Sequence, residues 1–226
     1  MRGNIMNLKI FLAGDSTVAY NDITSYPQTG WGQVLHLYLS PDVQIFNYAK
    51  NGCSSKSFIE EGLLEEINQC IGEADLLLIQ FGHNDQKEEE SRHTDPFSTY
   101  QAYLKQYIDV ARNNGATPIL ITPLYRRHFD EKGKIKDKVH GDYPDAMKVL
   151  AQDLGVDLID LCNESKRFLE TLGDTDSKSL FMHLPPGTYK AYPEGKADDT
   201  HMIYEGAVKM AGIVYRELEK IVKDKY

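Results

Sequence analysis

Five short apolar runs recur along the chain, each followed by a longer stretch, and this alternation constrains the fold more than any other feature. The runs are LKIFLA (8–13), VQIFNY (43–48), DLLLIQF (75–81), TPILIT (117–122) and VDLIDL (156–161). Each is too short for a helix and rich in Ile, Leu, Val and Phe, the pattern of a strand buried on both faces. Helices are predicted over 30–40, 57–70, 96–115, 143–155 and 204–225. In the third of these, Tyr100, Tyr103, Leu104, Tyr107, Ile108 and Ala111 recur at spacings of three and four, with Gly115 as C-cap. Strands alternating with helices build right-handed βαβ units. The predicted fold is therefore α/β: a three-layer, flavodoxin-like arrangement with a five-stranded parallel sheet in the order 2-1-3-4-5 and helices on both faces. No linker or repeat interrupts the 226 residues, so 1–226 are expected to form one domain. The stretches 123–142 and 174–200 are predicted to be irregular, and loops of such length are usually functional.

Charge and cysteine usage remove several function classes. A net charge of −9 disfavours nucleic acid as a partner, since phosphate-backbone binding needs a cationic face. No apolar run approaches the roughly 20 residues of a membrane span, and no membrane association is expected. The three cysteines, Cys53, Cys70 and Cys162, are odd in number and lack C-x-x-C spacing, so neither a disulfide framework nor a zinc knuckle is expected. Residues 1–13 carry no recognisable signal sequence. These features lead to the expectation of a cytoplasmic protein.

In an open parallel sheet, ligands bind beyond the carboxyl ends of the strands, near the reversal of strand order. The first run ends there in Gly14-Asp15-Ser16. The other runs lead into NYAKNGCSSKSF, QFGHNDQ and TPLYRRHF, and the last long loop ends in ADDTHMIYEGA, so Gly52, Asn84, Asp198 and His201 are candidates to converge on Ser16. Serine needs a base to take its proton, and a histidine oriented by a carboxylate supplies one. Asp198 lies three residues before His201, a spacing that allows both on one side of a single turn. The backbone N–H groups of Ser16 and Gly52 and the Asn84 amide are candidate oxyanion donors. Such chemistry calls for no metal and no cofactor.

Other readings of the same residues stay open. Asp15 and Ser16 also suit a turn and a helix N-cap. Asp199 competes with Asp198 for the orienting role, although adjacency turns it elsewhere. Cys53 invites a thiol mechanism but lacks a partner signature and reads better as a small buried residue, and Asp85 reads as structural. A flavodoxin-like binding module would use GDST to hold a phosphate. A metal-dependent hydrolase would take Asp15, Asp85, Asp198 and His201 as ligands, without compact spacing in sequence.

Taken together, the four blocks resemble the SGNH, or GDSL-type, hydrolases: Gly14-Asp15-Ser16, Gly52 within NYAKNG, Gly82-His83-Asn84-Asp85, and Asp198-x-x-His201, in the family's order and spanning nearly the whole chain. The resemblance implies Ser16 as nucleophile, His201 as general base, Asp198 as its orienting acid, and Ser16, Gly52 and Asn84 as the oxyanion hole. Within that family LAGDSTVA, TGWGQVL, NGCSSKSF, IQFGHNDQ and DDTHMIYEGA are similar to rhamnogalacturonan acetylesterases. The implied substrate is an acetyl ester on rhamnogalacturonan or a related pectic oligosaccharide; other glycans such as xylan, lipids, thioesters and small esters are alternatives. Unlike secreted members, the chain shows no evident signal or disulfide pairs, which implies action on imported oligosaccharides.

A galacturonate-containing ligand is anionic, so attraction to this acidic protein must be local. Lys50 and Lys56 flank Gly52, and Arg126 and Arg127 follow the fourth run. These are the candidate carboxylate contacts, with solvated surface charge as the alternative. Trp31 and Tyr26 are candidates for a sugar-stacking wall, with core packing as the alternative. His83, and with it His128 and His183, are candidate substrate contacts or satisfied structural histidines.

Overall fold

A computed structural model describes residues 8–225 of the chain. Five parallel strands form the main sheet: β1 (Lys9–Gly14), β2 (Gln44–Asn47), β3 (Leu76–Gln80), β4 (Thr117–Ile121) and β5 (Asp157–Ile159). Their spatial order is β2-β1-β3-β4-β5, as the alternation predicted, with β1 in register such that Ile10 lies beside both Ile45 and Leu76.

The continuous apolar runs resolve into two alternating sets. Ile10, Leu12, Leu76, Leu78, Ile119 and Ile121 face one layer, while Phe11, Ala13, Leu77, Ile79 and Leu120 face the other. On the first face lie α1 (Trp31–Val34), α6 (Leu161–Ser177) and α7 (Tyr204–Lys225), contributing among others Trp31, Leu169, Met210 and Val214. On the second lie α2 (Ser55–Glu60), α3 (Leu63–Asn68), α4 (Gln101–Asn113) and α5 (Tyr143–Leu154), with Phe58, Ile67, Leu104, Tyr107 and Met147 packed on the strands. Each such fully buried aliphatic or aromatic side chain contributes about 1.5–3 kcal/mol.

The structure corrects the predicted elements in several places. The helix expected over 57–70 is two helices, because Gly62 takes a left-handed conformation (φ 82°), and α2 begins earlier, capped reciprocally by Ser54 and Ser57. The helix expected over 30–40 is α1 followed by a short 3₁₀ turn, and that over 96–115 opens with a π turn, Pro96–Tyr100. Helix α6 is not among the elements the sequence pattern predicts. Asp160 caps its first turn by accepting from the Asn163 N–H, so the apolar run at 156–161 ends inside a helix, and Gly173 (φ 74°) interrupts it. The stretch 174–200 is not irregular throughout. It ends α6 and carries an antiparallel hairpin, β6 (Phe181–Leu184) with β7 (Lys196–Met202). The stretch 123–142 is largely irregular, with one isolated bridge between Phe129 and Ile135.

Candidate active site

Strand β1 ends at Gly14, where a side chain would not fit: a Cβ there would lie 2.7 Å from Val18 Cγ2 and 3.0 Å from the Gln80 carbonyl. The chain then turns, with the N–H groups of Val18 and Ala19 both donating to the Asp15 carbonyl. Asp15 is fully buried and accepts from the Thr17 N–H (2.9 Å), the Thr17 hydroxyl (2.7 Å) and His83 Nδ1 (2.9 Å). Burial works against its ionisation, yet the His83 charge and these bonds outweigh it and hold Asp15 below the ordinary carboxylate range. His83 Nε2 faces the Leu124 carbonyl at 2.9 Å, so both ring nitrogens are engaged. Behind Thr17 the row continues: Gln80 Nε2 donates to its hydroxyl (2.6 Å), and Trp31 Nε1 donates to Gln80 Oε1 (2.8 Å). A buried polar row thus fixes the turn that presents Ser16, itself 8% exposed.

Ser16 Oγ lies 2.8 Å from His201 Nε2, and His201 Nδ1 lies 2.7 Å from Asp198 Oδ2. The Asp198–His201 pair does not sit on a helical turn, as the spacing suggested. It sits on β7, where Asp198 pairs with Met182 and Met202 with Phe181, leaving residues 199–201 without counterparts between the adjacent residues of β6. This bulge re-aims His201 towards Ser16. Asp198 Oδ1 accepts from the N–H groups of Thr200 (2.8 Å) and His201 (3.0 Å), closing the bulge. Burial opposes the Asp198 charge, but His201 and these two N–H groups outweigh it and hold the carboxyl far below its usual value. Two loops clamp the hairpin: Thr29 N–H donates to the Met202 carbonyl (2.9 Å) and Arg127 N–H to that of Asp199 (2.8 Å).

Two more blocks meet beside this row. Asn84 Nδ2 donates to the Cys53 carbonyl at 2.9 Å, next to Gly52, whose backbone is left-handed (φ 84°). Among the described residues, the N–H groups of Ser16 and Gly52 donate to no protein acceptor. Asp85 is the tie beneath. It accepts from the Ser55 N–H and hydroxyl, the Gly82 N–H and the Thr94 hydroxyl, and burial pushes its carboxyl up to about 6 against those bonds. Tyrosines brace the same loops from below: Tyr100 donates to the Phe81 carbonyl, Tyr107 to that of Ser55, and Tyr143 to those of Asp85 and Thr94.

The remaining candidates separate by burial. Trp31 is fully buried with its indole N–H on Gln80, so it is core and no sugar wall, whereas Tyr26 is 53% exposed. His83 is 3% exposed beneath Asp15 and supports the turn from inside, where a substrate contact is not available. Arg127 is 5% exposed, ion-paired with Asp174 and with Asp199 (2.5 Å), which also accepts His183 Nε2 (2.7 Å). Its charge is consumed in closing the hairpin onto α6. Asp199 therefore points away from His201. Lys50 pairs with Glu61 at 2.6 Å, and Lys56 donates to the Glu90 carbonyl at 2.7 Å. An open depression lined by Lys56, Glu88, Glu90, His93, Asp95 and Tyr103 contains none of Ser16, Asp198 and His201. Asp15, Asp85, Asp198 and His201 do not form a ligand set, and no group of at least three His, Cys, Asp or Glu side chains among the described residues could hold a metal ion. The sequence reading missed Lys196, whose Nζ lies 3.0 Å from Asp198 Oδ2. Two-residue spacing on a strand puts Lys196 and Asp198 on one face, but KADDTHM lacks the apolar pattern of a strand and its sequence predicts a loop.

The chain matches the GDSL-like lipase/acylhydrolase family over residues 12–203. It belongs to that family. This GDSL-like acylhydrolase is 44% identical over 214 residues to the rhamnogalacturonan acetylesterase RhgT of Bacillus subtilis (strain 168), covering 95% of this chain and 90% of that one. It is 42% identical to the probable rhamnogalacturonan acetylesterase YesY of the same organism, covering 94% and 93%. Among solved structures, Bacillus subtilis YxiM superposes with a TM-score of 0.81 at 27% identity, over 95% of this chain and 56% of that one. Axe2, an acetylxylan esterase from Geobacillus stearothermophilus, shares the fold with a TM-score of 0.66 at 17% identity, over 93% and 94%.

Proposed function

We propose that this GDSL-like acylhydrolase is a serine esterase that removes acetyl groups from rhamnogalacturonan or related pectic oligosaccharides through an acyl-enzyme. The observation that carries the reading is the continuous row from Ser16 Oγ through the His201 ring to Asp198, at 2.8 and 2.7 Å. The names of two relatives above 40% identity support the acetylated pectic substrate.

In this reading Ser16 Oγ attacks the acetyl carbonyl carbon while its proton passes to His201 Nε2. Asp198 holds the proton on Nδ1, so that Nε2 is the free base, and stabilises the imidazolium that follows. The carbonyl oxygen, now negative, is met by the unengaged N–H groups of Ser16 and Gly52 and by the Asn84 amide. Collapse of the tetrahedral adduct breaks the bond to the sugar oxygen, which leaves with the proton held by His201. Water then repeats the sequence, giving up a proton to His201 as it attacks the acetyl-serine, and acetate departs with Ser16 restored.

Acetate release from acetylated rhamnogalacturonan oligomers, compared with acetylated xylan and a short aryl acetate, tests the reading with Ser16→Ala as control. The variant is expected to lose about three orders of magnitude or more in kcat while keeping its fold. Hydrolysis of the aryl ester alone would keep the esterase and remove the pectic substrate.

A further inference from the structure

The cations near the site differ in what they already hold. Lys50 is paired with Glu61, Arg127 with Asp174 and Asp199, and Lys196 with Asp198; Lys56 reaches Glu60 at 4.0 Å and the Glu90 carbonyl. Arg126 has no ion pair among the described residues. Its guanidinium is half-buried, and its interactions are with neutral groups. Nη2 donates to the His83 carbonyl at 3.2 Å, and the Gln86 amide oxygen, in the orientation that satisfies both partners, accepts from Nη1 and Nη2 at 3.3 and 3.0 Å. Nε is buried with no hydrogen-bond partner.

Its position is fixed by two connections. His83 immediately precedes Asn84, so the carbonyl that Arg126 grips belongs to the peptide leading into the Asn84 amide donor. On the other side, the next residue donates its N–H to Asp199, beside Asp198. Arg126 therefore lies between the block that offers Asn84 and the strand that carries Asp198 and His201. Burial draws its pKa down, and the charges of Asp15 and Asp198 act in the opposite sense, so both carboxylates are within electrostatic reach although neither touches it.

A guanidinium withdrawn from water without a carboxylate loses hydration that neutral acceptors replace incompletely. An arriving anion supplies the missing interaction, and the planar guanidinium favours a carboxylate. A uronic acid carries its carboxylate on the same ring as its acetylatable hydroxyls. One sugar, or two adjacent ones, can then bring an acetyl group to Ser16 and a carboxylate to this cation.

We propose that Arg126 is a specificity residue that binds the carboxylate of a uronic acid in the acetylated chain and so selects acidic over neutral acetylated glycans. This rests on the acetylesterase reading above. Gln86 and the His83 carbonyl hold the guanidinium in place before substrate arrives. Arg127, its neighbour in sequence, takes no part, because two carboxylates of its own neutralise it.

The test compares acetylated galacturonate-containing oligomers with the same oligomers after methyl esterification of their carboxylates, and reads the ratio of kcat/KM for free acid over ester. A charge-assisted contact predicts a ratio of about tenfold or more in the wild type, carried mainly by KM. Arg126→Met is expected to bring the ratio to about one, and Arg126→Lys, which keeps the charge but not the planar fork, to an intermediate value. Because each ratio is internal to one protein, partial loss of folded enzyme cancels from it. A wild-type ratio near one, or a wild-type ratio retained in Arg126→Met, overturns the proposal and leaves the esterase intact. Failure of the wild type to release acetate from any of these esters or from an aryl acetate overturns the esterase reading itself.

Discussion

Asn84 reaches across to Cys53 through a 2.9 Å bond from its amide to the carbonyl, and this bond joins two sequence blocks thirty-one residues apart. One amide hydrogen is spent on that positioning bond, which leaves the other for an oxyanion beside the Gly52 N–H. Asn84→Ala removes the donor and its anchor together. The expected result is a loss of about 10²–10³ in kcat, the usual effect of deleting one oxyanion donor, with a drop in stability of about 1 kcal/mol from the unpaired carbonyl. Steady-state kinetics on an aryl acetate and thermal melts check the two parts. An unchanged kcat would remove Asn84 from the oxyanion site.

Asp198 links the chemistry to pH. Burial raises its pKa, but the hydrogen bond and charge of His201, with the N–H groups of His201 and Thr200, lower it further, so the net shift is downward. A carboxylate depressed in the fold stabilises it above the unfolded value, about 4, and that contribution is lost as pH falls below it. Asp198→Asn is therefore expected to melt below the wild type at pH 7, with the gap narrowing as pH drops under about 4. Its kcat should fall about 10³–10⁴-fold, since an asparagine amide facing Nδ1 favours the wrong tautomer of His201. A difference in Tm that stays constant down to pH 3 would deny the charge any role in stability.

How much of this was legible in the sequence depends on the length scale of the signal. Strands β1, β3 and β4 were readable because their doubly buried runs differ sharply from their surroundings, whereas the edge strands β2, where Phe46 is exposed, and β5 are only partly buried and were legible from their apolar residue types alone. The hairpin that carries Asp198 and His201 was not, since KADDTHM has polar residues throughout and only Met202 is fully buried. Its strand character comes from pairing with β6, a long-range fact that local pattern does not hold. Helix α6 was hidden similarly, because its first residue completes an apolar run that reads as a strand. Residue types announced the reacting groups and let Asp85 and His83 be read as structural, but the partners those supports hold were not legible. His83 meets Asp15, Gln80 meets Trp31 and Thr17, and Asp85 meets Ser55, each across 30 or more positions, although Asp85 also holds Gly82 and Thr94 nearby.

Gln80 tests one of those supports. It is 1% exposed at the end of β3, accepts from Trp31 and donates to Thr17, and has no access to substrate. Gln80→Leu preserves the volume approximately but strands the indole N–H and withdraws a donor from the Thr17 hydroxyl. Each buried unpaired group costs about 1–3 kcal/mol, so a fall in Tm of several degrees is expected. Activity should drop in kcat more than in KM, because the turn that aims Ser16 loosens. Equal melting temperatures for the variant and the wild type would mean the row is not a support.

The cysteines separate a thiol mechanism from a serine one. Cys53 follows Gly52 and is 2% exposed; burial first, and then the charge of Glu61, pushes its thiol up to about 11. Cys162 is also buried, and burial with the charge of Asp160 pushes it up to about 12. Thiolate is the nucleophile in alkylation, so at pH 8 both are expected to resist iodoacetamide while the exposed Cys70 reacts. Intact-mass analysis should then show one adduct on the folded protein and three after denaturation, with esterase activity retained after the first. Cys53→Ala, which replaces a small buried group by a smaller one, should keep kcat within about tenfold while Ser16→Ala does not. Rapid alkylation of Cys53 at pH 8 with parallel loss of activity would move the nucleophile from Ser16 to the thiol beside Gly52.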